Sequence, residues 1–152
     1  MSMATRKKWG RFFLWVFFLT YLVVLAYFLF FSERYGRGET REYHYNLELF
    51  REIKRYIAYR DQFGAEYFMV NIVGNVLAFL PFGFFVPILS PKNRKFFWVT
   101  LYGFEFSLMV ELVQLSFQVG TFDVDDLFLN TIGSMLGYIA FLICRKRLKR
   151  YL

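Results

Sequence analysis

The sequence contains one cysteine, Cys144, one histidine, His44, and three prolines. A lone thiol excludes a disulfide-stapled secreted module. His44 stands between Tyr43 and Tyr45, outside any apolar run, and reads as a surface residue. There is thus no intramembrane histidine, no Ser–His pair and no basic phosphate-binding motif. Charge is missing over long stretches: Phe12–Phe31, Phe68–Leu89 and Leu127–Cys144 have none. What is abundant is apolar. Hydrophobic residues make up 57% and aromatics 24%, with 22 Phe and 11 Tyr. Such a composition excludes a disordered chain. The uncharged runs are too long for core helices, which argues against a soluble globule. The length, 152 residues, suits one domain.

Four segments have membrane length: 12–31, 68–89, 96–117 and 127–144. A bilayer core of ~30 Å takes about 20 helical residues. The third segment carries Glu105 and Glu111, and each central carboxylate costs ~2.5–3.5 kcal/mol on insertion scales. Its Leu, Val, Phe, Trp and Met residues offset that cost. The expected fold is therefore all-α, a polytopic membrane protein with a four-helix transmembrane bundle in one domain, 1–152.

Basic residues set the expected orientation. Arg6, Lys7, Lys8 and Arg11 precede the first span; Lys92, Arg94 and Lys95 separate the second and third; Arg145, Lys146, Arg147, Lys149 and Arg150 follow the fourth. With four spans these lie on one side, which the positive-inside rule makes cytoplasmic. The formal net charge of +7 is then a topology signal, with contact to anionic lipid as a second use. It does not point to nucleic acid. The first apolar run is longer than a signal-peptide core and lacks a small-x-small cleavage site, so an uncleaved anchor is expected. Cys144, near the inner end of the fourth span, reads as a small packing residue.

The first outer loop should carry an amphipathic helix over about 46–62, with Leu47, Phe50, Ile53 and Ile57 at helical spacing. Asn46 is the expected cap and Gly64 the expected stop. Charges throughout forbid it to span, so it is expected at the interface over the bundle's outer mouth. A plain solvated, salt-bridged helix is the alternative. Ser32–Tyr45 reads as a loop.

Polar residues inside the spans gather at one depth. Asn71 and Asn75 are four apart on the second span, Glu111 and Gln114 three apart on the third, and Asn130 lies one turn into the fourth, after Asp123, Asp125 and Asp126. These spacings put each pair on one helix face. Polar groups in lipid are costly unless partnered, so the three helices should turn them toward each other. The plain alternative is helix bolting by amide pairs, with small residues letting helices approach. Gly133 and Gly137, and Gly74 with Ala78, have that spacing; Gly83 follows. Intramembrane acids are nonetheless functional candidates. Glu105, six residues from Glu111, is expected to hydrogen-bond within the bundle on another face. Pro81 should kink the second span, and Pro87 should end it.

Two stretches resemble the VanZ-like family, bacterial membrane proteins named for a teicoplanin-resistance protein. They are Asn71–Gly83, NIVGNVLAFLPFG, with a GN…F.P.G pattern, and Glu111–Gly137, ELVQLSFQVGTFDVDDLFLNTIGSMLG, with an E..Q…D.DD…N..G…G pattern. Asn46-Leu47 resembles a weaker third element, so the likeness runs over about 46–144. Many members carry an Arg just before the aspartates. Here Gly120 and Thr121 stand in that region, which removes one means of gripping an anion. The resemblance implies reduced susceptibility to teicoplanin-type glycopeptides and names no reaction.

Three function classes remain. The first is an outward polar pocket that engages a lipidated drug, a membrane lipid or a lipid-linked cell-wall component. The second is a membrane enzyme on a lipid headgroup, using Glu111, Asp125 and Asp126 as acid–base groups, or Asp123, Asp125 and Asp126 as hard oxygen ligands. The third is a transporter or flippase subunit, disfavoured by four spans without an inverted repeat. DVDD does not match the spaced aspartates of intramembrane prenyltransferases. No cofactor is called for.

Overall fold

Inside a bilayer a spanning segment must satisfy its own backbone polar groups, and each long apolar run here is a helix. The computed structural model describes residues 3–31, 43–59 and 69–148. Its helices are α1 (Met3–Phe31), α2 (Arg51–Ala58), α3 (Gly74–Leu89), α4 (Phe96–Ser116) and α5 (Val124–Leu148). A π-helical turn, Met69–Val73, leads into α3, and a 3₁₀ turn, Pro91–Asn93, joins α3 to α4. Two residues of β1 (Tyr45–Asn46) pair in parallel with two of β2 (Phe122–Asp123). Four stretches are long and apolar enough to cross a membrane: Lys8–Phe30, Met69–Leu89, Phe96–Ser116 and Val124–Arg147. The chain is an all-α, multi-pass membrane protein. The bundle has a basic end, where α1 and α4 begin, and an acidic end, where α3 and α5 begin.

The bundle is built on the α3–α5 crossing. A Cβ on Gly133 would overlap the Val76 backbone, one on Gly137 the Leu80 and Phe84 backbones, and one on Gly83 the Ser134 backbone. These positions hold the two helices at backbone contact, as small residues do in membranes. Gly74 is different: nothing but the Met69 carbonyl lies near its Cβ position, at 3.8 Å. It therefore plays no part in helix approach, contrary to its small-residue spacing with Ala78. Gly103 of α4 makes room for the fully buried Ser134.

At the basic end Ile88, Val99, Tyr138 and Phe141 form a buried cluster. The Tyr138 hydroxyl donates to the Arg94 carbonyl at 2.9 Å, and Arg94 Nε donates to the Pro87 carbonyl at 2.6 Å. Pro87 sits two residues before the end of α3 at Leu89, and its carbonyl anchors the turn. Cys144 is half-buried. Midway, Phe82 and Phe106 stack at 4.8 Å and Phe79 flanks Phe106 at 5.6 Å.

α1 lies against this unit with little buried; Phe18 and Leu25 are its buried side chains among the described residues. Phe18 meets Phe82 and Phe85. Pro81, inside α3, has no backbone N–H and interrupts the helical ladder. Tyr21 of α1 donates to the Ala78 carbonyl at 2.7 Å, three residues before the proline. A carbonyl on the weakened turn thus finds a partner on the neighbouring helix.

Two expectations fail here. The outer helix, described over Arg51–Ala58, starts at Arg51 rather than near 46, and Asn46 does not cap it. Asn46 is held in β1, where its side-chain amide donates to Asp123 Oδ1 at 3.1 Å. Positions 60–62 and Gly64 lie outside the described residues, as do 32–42 of the preceding loop. Glu105 does not enter the bundle: it is exposed. The buried face of α4 runs through Val99, Gly103, Ser107, Val110 and Glu111, and residue 105 falls off that stripe.

Candidate functional site

Antiparallel neighbours in the bundle bring the start of α3, the end of α4 and the start of α5 to one level. There a cavity of about 420 Å³ opens. Asn71, Asn75, Glu111, Gln114, Asp123, Asp126 and Asn130 line it. Seven of the eight residues singled out in the sequence thus share one wall. Asp125 does not line it.

The three aspartates divide their work. Asp123 precedes the first residue of α5, and its Oδ1 accepts the Asp125 N–H at 2.8 Å, the N-cap interaction. The same oxygen accepts the Asn46 amide, and the Asp123 N–H donates to Glu111 Oε2 at 3.0 Å. Burial pushes the Asp123 carboxyl above its usual range; the hydrogen bonds from Asp125 and Asn46 oppose this, and the Asp125 and Glu52 charges add to it. Asp125 is 1% exposed. Its carboxylate accepts the N–H groups of Phe50, of Glu52 at 2.8 Å and of Ile53 at 3.2 Å. An acid from α5 therefore caps the N-terminus of α2, where orphan N–H groups and the helix dipole favour a negative charge. Asp126 accepts the Asn75 side-chain amide and faces the cavity.

The clamp fixes how α2 lies. Phe50 has φ 68°, a left-handed conformation rare for an aromatic residue. Asp125 holds its N–H, and Phe128 meets its ring edge-on at 5.3 Å. With α2 so placed, Arg51, Glu52, Arg55 and Tyr56 line the cavity, joined by His44, Tyr45 and Asn46. Leu47 and Ile57, 67% and 52% exposed, face away. Apolar side chains on the outer face and charges toward the cavity fit a helix lying in an interface. Arg55 and Glu52 form an ion pair at 2.7 Å. Burial, helped by the Glu52 charge, pushes the Tyr56 phenol up to about 12, so it is a neutral hydroxyl.

Sequence reasoning placed this helix over the bundle's outer mouth but named none of Arg51, Glu52, Arg55 and Tyr56 as site residues, and it read His44 as a surface residue. The available signal was the i, i+1, i+4, i+5 spacing of Arg51, Glu52, Arg55 and Tyr56, one polar face opposite the apolar one; no such signal pointed to His44. The remaining walls are Leu29, Gly120 and Thr121. Gln114 Nε2 donates to the Leu29 carbonyl at 3.0 Å, tying α4 to the end of α1. At the floor, Asn130 Nδ2 donates to Ser107 Oγ at 2.9 Å.

Chemically, the cavity has carboxyl groups and amides at depth and guanidinium groups at its exposed edge. Asp123, Asp125 and Asp126 are directed to different partners. Among the described residues no three or more metal-ligating side chains converge.

The sequence profile described as VanZ/LLP1 matches residues 18–145, which include all the cavity-lining positions. The chain is also 30% identical over 69 residues to Protein VanZ of Enterococcus faecium. That alignment covers 44% of this chain and 41% of the relative, so it spans about two fifths of the relative's length. No solved structure matches the chain. Four membrane-length helices, the paired polar groups at their acidic end and a profile match over most of the chain agree: this protein belongs to the VanZ/LLP1 family.

Proposed function

We propose that the cavity opens to the outside of a bacterial cell membrane, with both termini in the cytoplasm, and binds the head of a lipidated molecule. The orientation is supported by Lys92, Arg94, Lys95, Arg145, Lys146 and Arg147, all at the end opposite the cavity. The observation that carries the reading is the set of carboxyl groups, Glu111, Asp123 and Asp126, lining one cavity under a polar helix face, with no ion pair to any of them among the described residues. Helix bolting needs no such arrangement, since amides alone suffice. The likeness to Protein VanZ supports a role in lowering susceptibility to teicoplanin-type lipoglycopeptides. The protein would engage the lipidated drug itself or a lipid-linked envelope component.

Expression in a sensitive Gram-positive host tests this. The inhibitory concentration of teicoplanin, which carries a fatty tail, should rise more than that of vancomycin, which has none. Asp126→Asn should abolish the rise while the protein still inserts and melts normally. Equal shifts for both drugs would remove the lipid tail from the reading. Labelling of intact cells should reach a cysteine at Thr121 and not one at Asn93; the opposite pattern would overturn the orientation.

A further inference from the structure

The floor of the cavity is short of donors. Asn130 is 3% exposed and lines the cavity, and its amide N–H goes to Ser107. Its Oδ1 has no hydrogen-bond partner. Buried side-chain oxygens are paired in the large majority of cases. The carboxyl groups of Glu111, Asp123 and Asp126 belong to residues that line the same cavity. Arg55–Glu52 is the one ion pair among the described residues, so none of the three has a cationic partner there. At the edge the sign reverses. Arg51 and Arg55 are exposed and line the same cavity, and Arg51 has no acidic partner among the described residues.

A ligand that completes this site brings N–H donors and positive charge to the floor and negative charge to the edge. The carboxyls do not converge in the manner of a metal cage. A primary ammonium has three N–H donors that can be shared among separated acceptors. Guanidinium groups are suited to a phosphate or carboxylate. A cavity of about 420 Å³ falls within the ~300–1,000 Å³ of small-molecule sites.

We infer that the cavity reads a zwitterionic head, placing a primary ammonium among Glu111, Asp126 and the free Asn130 Oδ1, with the attached anionic group at Arg51 and Arg55. The inference rests on the head-binding reading above and narrows it to a ligand class. The head can belong to a membrane aminophospholipid or to a free aminophosphate, and the experiment separates them.

The full chain, purified in maltoside micelles, is titrated with four probes: short-chain phosphatidylethanolamine, its N-trimethylated counterpart phosphatidylcholine, phosphatidylglycerol, and free phosphoethanolamine. Phosphatidylethanolamine should bind at least ten-fold tighter than either other lipid, since a trimethylated nitrogen has no N–H and glycerol has no charge. Glu111→Gln and Asp126→Asn should each remove most of that preference in protein whose melting is unchanged. An Arg51→Gln, Arg55→Gln double variant should weaken phosphatidylethanolamine binding at least five-fold and leave binding of a simple alkylamine as it was. Free phosphoethanolamine binding as tightly as the lipid supports the inference with the free head as source. Binding of the lipid alone supports it with the membrane as source. Equal binding of the primary and trimethylated lipids, sensitive to Asp126→Asn, overturns the inference and leaves a head-binding cavity. Lipid binding indifferent to all these variants overturns both.

Discussion

The two ends of the α3–α4–α5 unit solve the same packing problem in opposite ways. Toward the basic end the helices touch through glycine and aromatic rings: Gly137 lies on the Leu80 and Phe84 backbones, and Phe141 packs with Ile88, Val99 and Tyr138. Toward the acidic end the same helices part, and polar side chains bridge the gap: Asn75 to Asp126, Glu111 to the Asp123 backbone, Asn130 to Ser107. Close approach gives stability without room for a ligand. Separation leaves a cavity but makes each buried polar group depend on a partner. The rigid half therefore supports the half with unfilled hydrogen-bonding capacity, an arrangement that suits a preformed site.

The sharpest way to break this comparison is to force the tight half apart. Gly137→Leu should cost about 3 kcal/mol or more, because the obstacle is backbone that cannot move aside. Detergent melting should show a large loss or no folded protein, whereas Gly74→Ala should change stability by less than about 1 kcal/mol, in the stabilising direction expected from helix propensity. Similar losses for the two would mean that helix approach is not set by glycine at the crossing.

Next is the clamp between the halves and the outer helix. Asp125→Ala leaves the N–H groups of Phe50, Glu52 and Ile53 without their acceptor and should cost about 1–3 kcal/mol locally. Trypsin should then cut at Arg51 and Arg55 much faster, while the spanning helices melt nearly as before. Unchanged proteolysis would show that α2 is held by something else.

Glu111→Gln should be smaller still in stability, within about 1 kcal/mol, since Gln keeps the side chain's shape and its amide oxygen can still accept the Asp123 N–H. It should nonetheless abolish the teicoplanin phenotype. A folded, fully active Glu111→Gln, Asp126→Asn double variant would reduce the acidic end to helix bolting. Phe106→Leu, away from the cavity, should lose some aromatic stacking and remain active.

The smallest effect is in pH. A carboxyl whose folded-state pKa is raised binds its proton more tightly folded than unfolded, so its contribution favours folding at low pH. That contribution is lost as pH rises from the unfolded value near 3.8 through the raised folded value. Melting of the wild type minus that of Asp123→Asn should thus decline as pH rises above about 4. A difference that grows with pH would show that the bonds from Asn46 and Asp125 outweigh burial.

Much of this was legible in one dimension. The absence of charge over three runs, and its scarcity over the fourth, dictated four spans, because helix length and desolvation cost act locally. Helical spacing alone placed Asn71 with Asn75 and Glu111 with Gln114, and opposite chain directions brought these pairs to the depth of Asp126 and Asn130. Those same rules could not distinguish Gly74 from Gly137, since both spacings permit close approach and only the partner backbone makes use of it. Nor could they tell that the polar face of α2 turns inward.

Asp123, Asp125 and Asp126 show where the boundary lies. Their sequence places three acids at the start of a helix, a setting the dipole favours for all of them. In the folded chain one caps α5, one caps α2 and one faces the cavity, because successive residues on a helix point about 100° apart and each meets a different neighbour. Glu105 failed as an expectation for the same reason, its face of α4 being set by what α3 and α5 leave uncovered. The sequence by itself determined how many helices cross, which end is acidic and at what depth the polar groups lie, since each follows from local composition and period. Only the tertiary structure decided which acid holds α2, which residues roof the cavity and which oxygen on its floor is left without a donor, since these depend on contacts between segments distant in the chain.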